Sequence, residues 1–276
     1  MIDRWLGGGR CRGFSDRWGR WRRGGSGRRL RDGRLRGALR AGDREREENA
    51  ERAESPHAAS IESWRNGRYA PRVKACWPAP ERNKGPILEV LRRVLPESGT
   101  LLELASGSGQ HVAHFAEHLP RWTFIPSDIE QDHLASIAAY RAEYPGHNFE
   151  APRAIDVRSA DWGVPVLDAV FSANMIHIAP WSCCVGLIQG AARHLRAGGV
   201  FVLYGPFRIG GAHTATSNAR FDDGLRRQNE HWGVRDLEEV VERADAVGLD
   251  FSERVAMPAE NQTLVFRARA APDDLT

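Results

Sequence analysis

The sequence predicts an α/β fold: a mostly parallel, doubly wound sheet of seven strands, helices on both faces, and an antiparallel pair at one edge. Three observations predict it. An apolar run, Leu101-Leu102-Glu103-Leu104, stops at Ala105-Ser106-Gly107-Ser108-Gly109, and a helical pattern of Val112, Phe115, Ala116 and Leu119 follows. Strand-like and helix-like stretches then alternate, the order that builds parallel sheets. The last two strand-like runs are joined only by the turn Met257-Pro258-Ala259-Glu260-Asn261, so they pair antiparallel.

Each element has a local reason. Pro86 reads as the first residue of a helix, where its missing N–H costs nothing, and Ile87, Leu88, Leu91, Val94 and Leu95 follow at helical spacing before Pro96. Residues 122–126 form the second strand, which ends at Asp128, and 134–144 a helix. Residues 149–157 read as the third strand, with Asp156 at its end, and 167–173 as the fourth, ending at Asn174. Residues 183–195 are an amphipathic helix, with Arg196-Ala197-Gly198-Gly199 as its stop signal. Residues 200–204 make strand five; 218–229 and 234–247 are helical; 249–256 and 263–268 are the closing strands.

The domain so defined occupies residues 69–276. Residues 1–68 read differently: Gly and Arg dominate, and Trp5, Trp18 and Trp21 recur without a helical or strand period. Such a segment buries too little apolar surface to offset its ordering entropy, so disorder is expected, with one short charged helix over 41–55. Within residues 1–48 stand fifteen arginines, no lysine and seven acidic residues, a surplus of eight positive charges that leaves the rest of the +3 chain at −5. An arginine-rich tail suits nucleic acid. A transit peptide would be Ser-rich and poor in acids, against Asp3, Asp16, Asp32 and Asp43. Only Lys74 and Lys84 stand against many arginines, as GC-rich coding produces, so a solvated extension or translated sequence upstream of the true start is the simplest reading.

Composition excludes several classes. Hydrophobic content of 41% and charged content of 27% are those of a soluble globular chain. No apolar run reaches the roughly 18–20 residues of a membrane span, and no secretory h-region is present, so a cytoplasmic location and no membrane partner are expected. Cys11, Cys76, Cys183 and Cys184 have neither zinc-site nor disulfide spacing and read as reduced thiols; no metal is expected.

The Gly-rich turn between strand one and its helix is a place where a nucleotide-like ligand approaches backbone, since Gly107 and Gly109 carry no Cβ and free N–H groups face outward. A dinucleotide fingerprint needs a third glycine where Val112 stands, which disfavours a nicotinamide-dependent oxidoreductase. Asp128 lies at the end of strand two, where doubly wound sheets place an acidic partner for ribose hydroxyls; it is also suited to cap the next helix.

The pattern Glu103-x-Ala105-x-Gly107-x-Gly109 resembles motif I of class I S-adenosylmethionine-dependent methyltransferases. The resemblance implies that Glu103 faces the cofactor's ammonium group, that Ala105, Ser106, Gly107 and Gly109 line its amino-acid part, and that Asp128 binds the ribose. It further implies that Asp156 accepts the adenine amine, with Val157 beside the ring, and that Asn174 closes the site. The Asn174-Met175-Ile176-His177 stretch lacks the Pro-Pro-aromatic signature of amino-methyltransferases. Further motifs are similar to the methyltransferase-like 26 family: Arg82-Asn83-Lys84-x-Pro86, Gln110-His111 after the glycines, Pro126-Ser127-Asp128, Tyr204-Gly205-Pro206, Ser217-Asn218, Arg227-x-Asn229-x-x-Trp232-Gly233-x-Arg235-Asp236, and Met257-Pro258-Ala259-x-Asn261. They run in order over residues 80–269 and imply a class I methyltransferase fold that binds S-adenosylmethionine, with Asn83, Lys84 and His111 also on the cofactor side.

Methyl transfer is a direct displacement in which the protein aligns nucleophile, carbon and sulfur. For a hydroxyl or protonated-amine acceptor, His177 and then Tyr204 are the candidate bases. Ser217, Asn218, Asn229, Trp232 and Asn261 are candidates for a polar substrate pocket. The acidic balance of residues 49–276 points to a small molecule rather than nucleic acid. A cofactor-binding sensor or scaffold without turnover is the reading from another class.

Overall fold

The computed structural model describes residues 74–270; the Arg/Gly-rich extension, where a charged helix was expected over 41–55, and the closing residues 271–276 lie outside them. In chain order the elements are α1 (Pro78–Val94), β1 (Gly99–Leu104), α2 (Gln110–His118), β2 (Trp122–Asp128), α3 (Gln131–Glu143), β3 (Arg153–Ala154), β4 (Leu167–Ala173), α4 (Trp181–His194), β5 (Leu195–Gly205), β6 (Arg208–Ile209), β7 (Ala212–His213), α5 (Thr216–Gln228), α6 (Leu237–Asp245), β8 (Leu249–Met257) and β9 (Asn261–Ala268). Seven strands form one sheet in the order β3-β2-β1-β4-β5-β9-β8. The first five run parallel, and β9 is antiparallel to both β5 and β8. This is the expected α/β architecture. The order reverses at β1 and β4, so a crevice opens beyond their carboxyl ends.

Side-chain alternation divides the core between the faces of the sheet. On one face Ile87 and Leu91 of α1, Val112 and Phe115 of α2 and Ile137 of α3 pack against Leu101, Phe124, Phe171, Val202 and Val265. On the other, Leu187 and Ile188 of α4 and Val240 and Ala244 of α6 pack against Leu102, Ile125, Val170, Phe201 and Phe266. Each fully buried side chain of this kind contributes about 1.5–3 kcal/mol.

Four elements differ from expectation. α1 begins at Pro78, eight residues before Pro86, which lies inside the helix. Pro78 and Pro80 occupy the first turn, where no N–H would be bonded, so they start the helix as well as Pro86 could. Pro86 cannot donate to the Arg82 carbonyl one turn back. The third strand shrinks to Arg153–Ala154, with Phe149 bridged separately to Phe124, because Pro152 removes a ladder donor between them. Gly198 and Gly199 do not follow a helix end. The chain turns from α4 directly into β5, where Leu195 pairs with Leu167, and Arg196–Gly199 is a bulge with Gly198 at φ +72°. A hairpin, β6–β7, turns at Gly210 and Gly211, both at positive φ, and was not anticipated.

Gly190 of α4 lets an indole lie flat on the helix. A Cβ there would come within 1.9 Å of the Trp162 ring, which stacks on His194 and donates from Nε1 to the Val157 carbonyl at 3.3 Å. Gly190→Ala is expected to destabilise the fold by about 1–3 kcal/mol through overpacking, set against up to about 1 kcal/mol of improved helix propensity. A lower urea midpoint with an unchanged slope is the expected observation; a raised midpoint would show that Trp162 moves freely.

Candidate functional site

The loop between β1 and α2 turns left-handed at alternate residues: Ala105 (φ 56°), Gly107 (φ 56°) and Gly109 (φ 90°). Ala105 bears a Cβ, so its conformation costs about 1–2 kcal/mol and must be imposed by its surroundings. Ser106 N–H donates to the Ser127 carbonyl (2.8 Å), and the Ser106 and Ser127 hydroxyls both donate to the Glu103 carbonyl (3.2 and 2.8 Å). The end of β2 thus clamps the loop.

Asp128 completes the clamp. Its Oδ2 accepts the Gly107 N–H at 2.9 Å, and its Oδ1 accepts the N–H groups of Ile129 and Glu130. His133 Nδ1 stands 3.1 Å from Oδ1. Burial alone would raise the Asp128 pKa, but the His133 ring and the Glu130 and Gly107 N–H groups outweigh it and hold the carboxylate below its ordinary range. Asp128 is therefore an anion beside the loop and also caps the turn into α3.

Glu103 is the opposite case. Burial pushes its pKa up to about 8, and the charge of Asp128 adds to the rise, while Ser106 and the Val112 N–H work against it. Its Oε2 is buried without a hydrogen-bond partner among the described residues. His111 Nδ1 lies 3.7 Å from Oε1, and His111 Nε2 lies 2.7 Å from Asn83 Oδ1. With Nε2 donating to that oxygen, the Nδ1 lone pair faces the neutral carboxyl. Burial drives the His111 pKa down to about 3, so the ring is uncharged at neutral pH. Asn83 in turn bonds Tyr204 at the end of β5; burial raises the phenol's pKa and this bond opposes the rise. A polar chain, Tyr204–Asn83–His111–Glu103, thus ties α1 to β1, α2 and β5 beneath one face of the sheet.

The segment before α1 lies across the glycine loop. The Trp77 N–H donates to Gln110 Oε1 (2.6 Å), the Ala75 N–H to Ser136 Oγ (2.9 Å), and the Tyr140 hydroxyl to the Ala75 carbonyl (3.1 Å). A Cβ at Gly107 would sit 2.5 Å from Trp77 Cζ3, so the glycine admits the indole, whose edge also meets His133 at 5.1 Å. Lys84 reaches Glu81 (2.5 Å), which also accepts from Gln110 Nε2 (3.0 Å), so Lys84 reaches the loop through Glu81 and Gln110. Trp77 and His133 were not anticipated. The signals were a tryptophan at a helix N-cap and a histidine five residues past Asp128.

The structure distributes the other expected residues along the same edge. Asp156 is half-buried and held by Arg158 through Nε and Nη2, with its carbonyl accepting the Ser159 N–H. Val157 belongs to the core beside Trp162. Asn174 leaves β4 at φ 62° and its N–H donates to the Tyr204 carbonyl at 2.8 Å. His177 is fully buried, against Phe207. Its Nδ1 faces the Arg235 N–H at 3.4 Å, and burial lowers its pKa to about 3, with the Arg235 charge adding to the fall. A Cβ on Gly205 would lie 2.5 Å from His177 Nε2 and 3.2 Å from Asn174 Oδ1. Arg235, which donates to the carbonyls of Ile176, Ala179 and His231, pins this corner.

Asn218 is buried and bonds Thr214 Oγ1 and the Glu260 carbonyl, joining α5 to the turn that Asn261 Nδ2 ties down at Pro258. That turn holds Ala259 and Glu260 at positive φ. Asn229 caps the turn to half-buried Trp232, whose neighbour Gly233 donates to the His177 carbonyl. Ser217 is exposed. Among the described residues no helix is long and apolar enough to cross a membrane.

Residues 74–268 match the family model described as "Protein of unknown function (DUF938)". The chain belongs to that family. Among solved structures, the DUF938 chain resembles an O-methyltransferase family protein from Burkholderia thailandensis, with a TM-score of 0.61 and 17% identity over 70% of this chain and 58% of that one. Human N-acetylserotonin methyltransferase, solved in complex with SAM, gives 0.57 and 12% over 70% and 53%. CalO1, a methyltransferase in calicheamicin biosynthesis solved in an SAH-bound form, gives 0.55 and 17% over 68% and 54%. The chain thus spans between 53% and 58% of these structures' lengths. At such identities the likeness shows the fold, which is that of the class I methyltransferases.

Glu103 yields a stability prediction. Its folded pKa is raised to about 8, so the native state holds a proton that the unfolded chain releases near pH 4–5. Its contribution is whole below that range and declines as pH rises through 8, by at most about 1.4 kcal/mol per pH unit. In urea titrations from pH 5 to 8, Glu103→Gln is expected to remove this decline and to be the more stable protein at pH 8. Parallel pH profiles for the two proteins would contradict it.

Proposed function

We propose that this protein is an S-adenosylmethionine-dependent methyltransferase, as the methyltransferase-like 26 resemblance implies, and that it acts on a small polar molecule, as the acidic balance of residues 49–276 favours. The observation that carries the reading is the pair of buried carboxyl groups flanking the left-handed loop: ionised Asp128 on one side, and on the other Glu103 with an oxygen that no described residue satisfies. The donor set fits the cofactor. An unpartnered buried carboxyl oxygen suits an ammonium group, and an anionic carboxylate at the end of β2 suits ribose hydroxyls; the missing Cβ atoms of Gly107 and Gly109 make room instead for Trp77 and for Ile137 of α3. The named neighbours solved with SAM or SAH support the same pocket by fold alone.

On this reading Glu103, Ala105, Ser106, Gly107, Gly109 and Asp128 hold the cofactor, with Asn83, Lys84 and His111 fixing α1 over them. Asn174, Asp156 and Val157 lie at the ends of the neighbouring strands, and Asp156 must exchange Arg158 for the adenine amine. The bound cofactor supplies an electrophilic methyl on a sulfonium. The protein's part is alignment and exclusion of water. Asn218, Asn229, Trp232 and Asn261 frame the acceptor side, with Ser217 at its outer rim. Gln262 Oε1 and Thr263 Oγ1, opposite Gly205 and Tyr204 in the β5–β9 ladder, add buried polar atoms unsatisfied among the described residues.

His177 and Tyr204 were expected as bases. Their burial and partners suit them better to positioning: His177 is held neutral with its Nδ1 lone pair facing Arg235, and the Tyr204 phenol is shifted away from ionisation. That favours acceptors needing no strong base, such as a carboxylate or a thiolate. It also keeps in play a second reading, a protein that binds the cofactor without turnover.

Two measurements separate these readings. Calorimetry with the full chain is expected to show S-adenosylmethionine binding that Asp128→Asn weakens by about tenfold or more, the loss of one charge-assisted interaction. Methyl-labelled cofactor incubated with a metabolite extract is expected to yield a labelled small molecule. Binding without any labelled product would establish the sensor, and no binding at millimolar cofactor would overturn both.

A further inference from the structure

The exposed side of α2 carries a cluster that methyl transfer does not use. His114, Glu117 and His118 stand at positions i, i+3 and i+4, the spacing that stacks side chains on one helix face. Their donor atoms lie within 4.8 Å of one another, and the imidazole centroids are 4.3 Å apart. Side-chain rotation is enough to bring such donors onto one ion at about 2.0–2.2 Å.

Hydrogen bonding already orients one ring for a metal. His118 Nδ1 lies 2.9 Å from the His114 carbonyl oxygen. A carbonyl only accepts, so Nδ1 carries the hydrogen, and in the neutral ring Nε2 presents its lone pair. Metal-binding histidines are commonly oriented this way, by donating their other ring N–H to a carbonyl. His114 Nε2 is buried without a hydrogen-bond partner among the described residues, an unfavourable state that a ligand would relieve. Glu117 is exposed and supplies the carboxylate.

We propose that His114, Glu117 and His118 form a site for one divalent ion of the zinc class, which takes imidazole and carboxylate donors and keeps an open position for water. The ion clamps the C-terminal end of α2, since the two histidines stand one turn apart there. The site is independent of the methyltransferase reading, because none of the three residues belongs to the Glu103–Asp128 pocket.

The test is a zinc titration of the full chain by calorimetry, repeated with nickel, on wild type, Glu117→Gln, His118→Gln and the double variant His114→Gln/His118→Gln. Circular dichroism without metal checks that each variant is folded, and Glu117→Gln and His118→Gln change exposed side chains. The expected result is one ion bound by wild type with a raised melting temperature. Each single variant should bind at least about tenfold more weakly, the scale set by losing even an orienting partner of a ligand, and the double variant should lose the site. Absence of binding to wild type overturns the proposal. So does binding retained in the double variant, which would put the ion on the cysteines.

Discussion

One hydrogen bond organises the site: Asp128 Oδ2 to the Gly107 N–H, at 2.9 Å. It couples the end of β2 to the middle of a loop whose conformation would otherwise be unfavourable at Ala105. The same carboxylate caps the turn into α3 through Oδ1, so three elements take their relative positions from one side chain. The serines reinforce it. Ser106 and Ser127 both return to the Glu103 carbonyl, so β1, the loop and β2 close a small ring of buried bonds in which each donor has an acceptor. The polar atoms that remain unsatisfied are therefore informative, and Glu103 Oε2 is the one that points to the function.

Glu103 and Asp128 show how environment divides identical chemistry. Both are nearly inaccessible to water. Asp128 is surrounded by N–H groups and an imidazole, and stays charged. Glu103 faces a neutral histidine, and the Ser106 hydroxyl and Val112 N–H do not offset its burial, so it holds a proton. An incoming ammonium reverses the second balance, because a cation beside Glu103 stabilises the carboxylate that burial disfavours. Ligand recognition at this edge is on this account a proton exchange: a buried acid gives up its hydrogen as it gains a counter-ion. The Tyr204–Asn83–His111 chain carries the consequence to α1, the helix next to Trp77, which packs on Gly107.

The fold was legible because its signals are periodic and redundant. The apolar runs of β1, β4 and β5, buried on both faces, and the helical spacing in α2 and α4 each recur several times, and seven strands follow. Carboxylates at strand ends were legible for a similar reason: a strand end is set by its apolar run, so Glu103 and Asp128 could be placed before any contact was known. What failed were single residues with two uses. Pro86 looked like a helix start, but Pro78 and Pro80 fill that role and Pro86 lies in the interior. Gly198-Gly199 suits a helix end and a strand bulge equally, and only the pairing of Leu195 with Leu167 decides between them. Pro152 cut a strand that the flanking apolar residues suggested was longer. Burial depth was not legible at all. Nothing local in Asn174-Met175-Ile176-His177 says that the histidine is sealed under Phe207 with its Nδ1 facing the Arg235 N–H, and that placement decides its protonation.

The most direct test of the central claim, that Glu103 is a protonated carboxyl awaiting a cationic ligand, is calorimetric titration of the full chain with S-adenosylmethionine at pH 7 in two buffers of very different ionisation enthalpy. The account predicts that the observed heats differ by the release of about one proton per cofactor bound, and that Glu103→Gln abolishes the difference. Binding with the same heat in both buffers would contradict it.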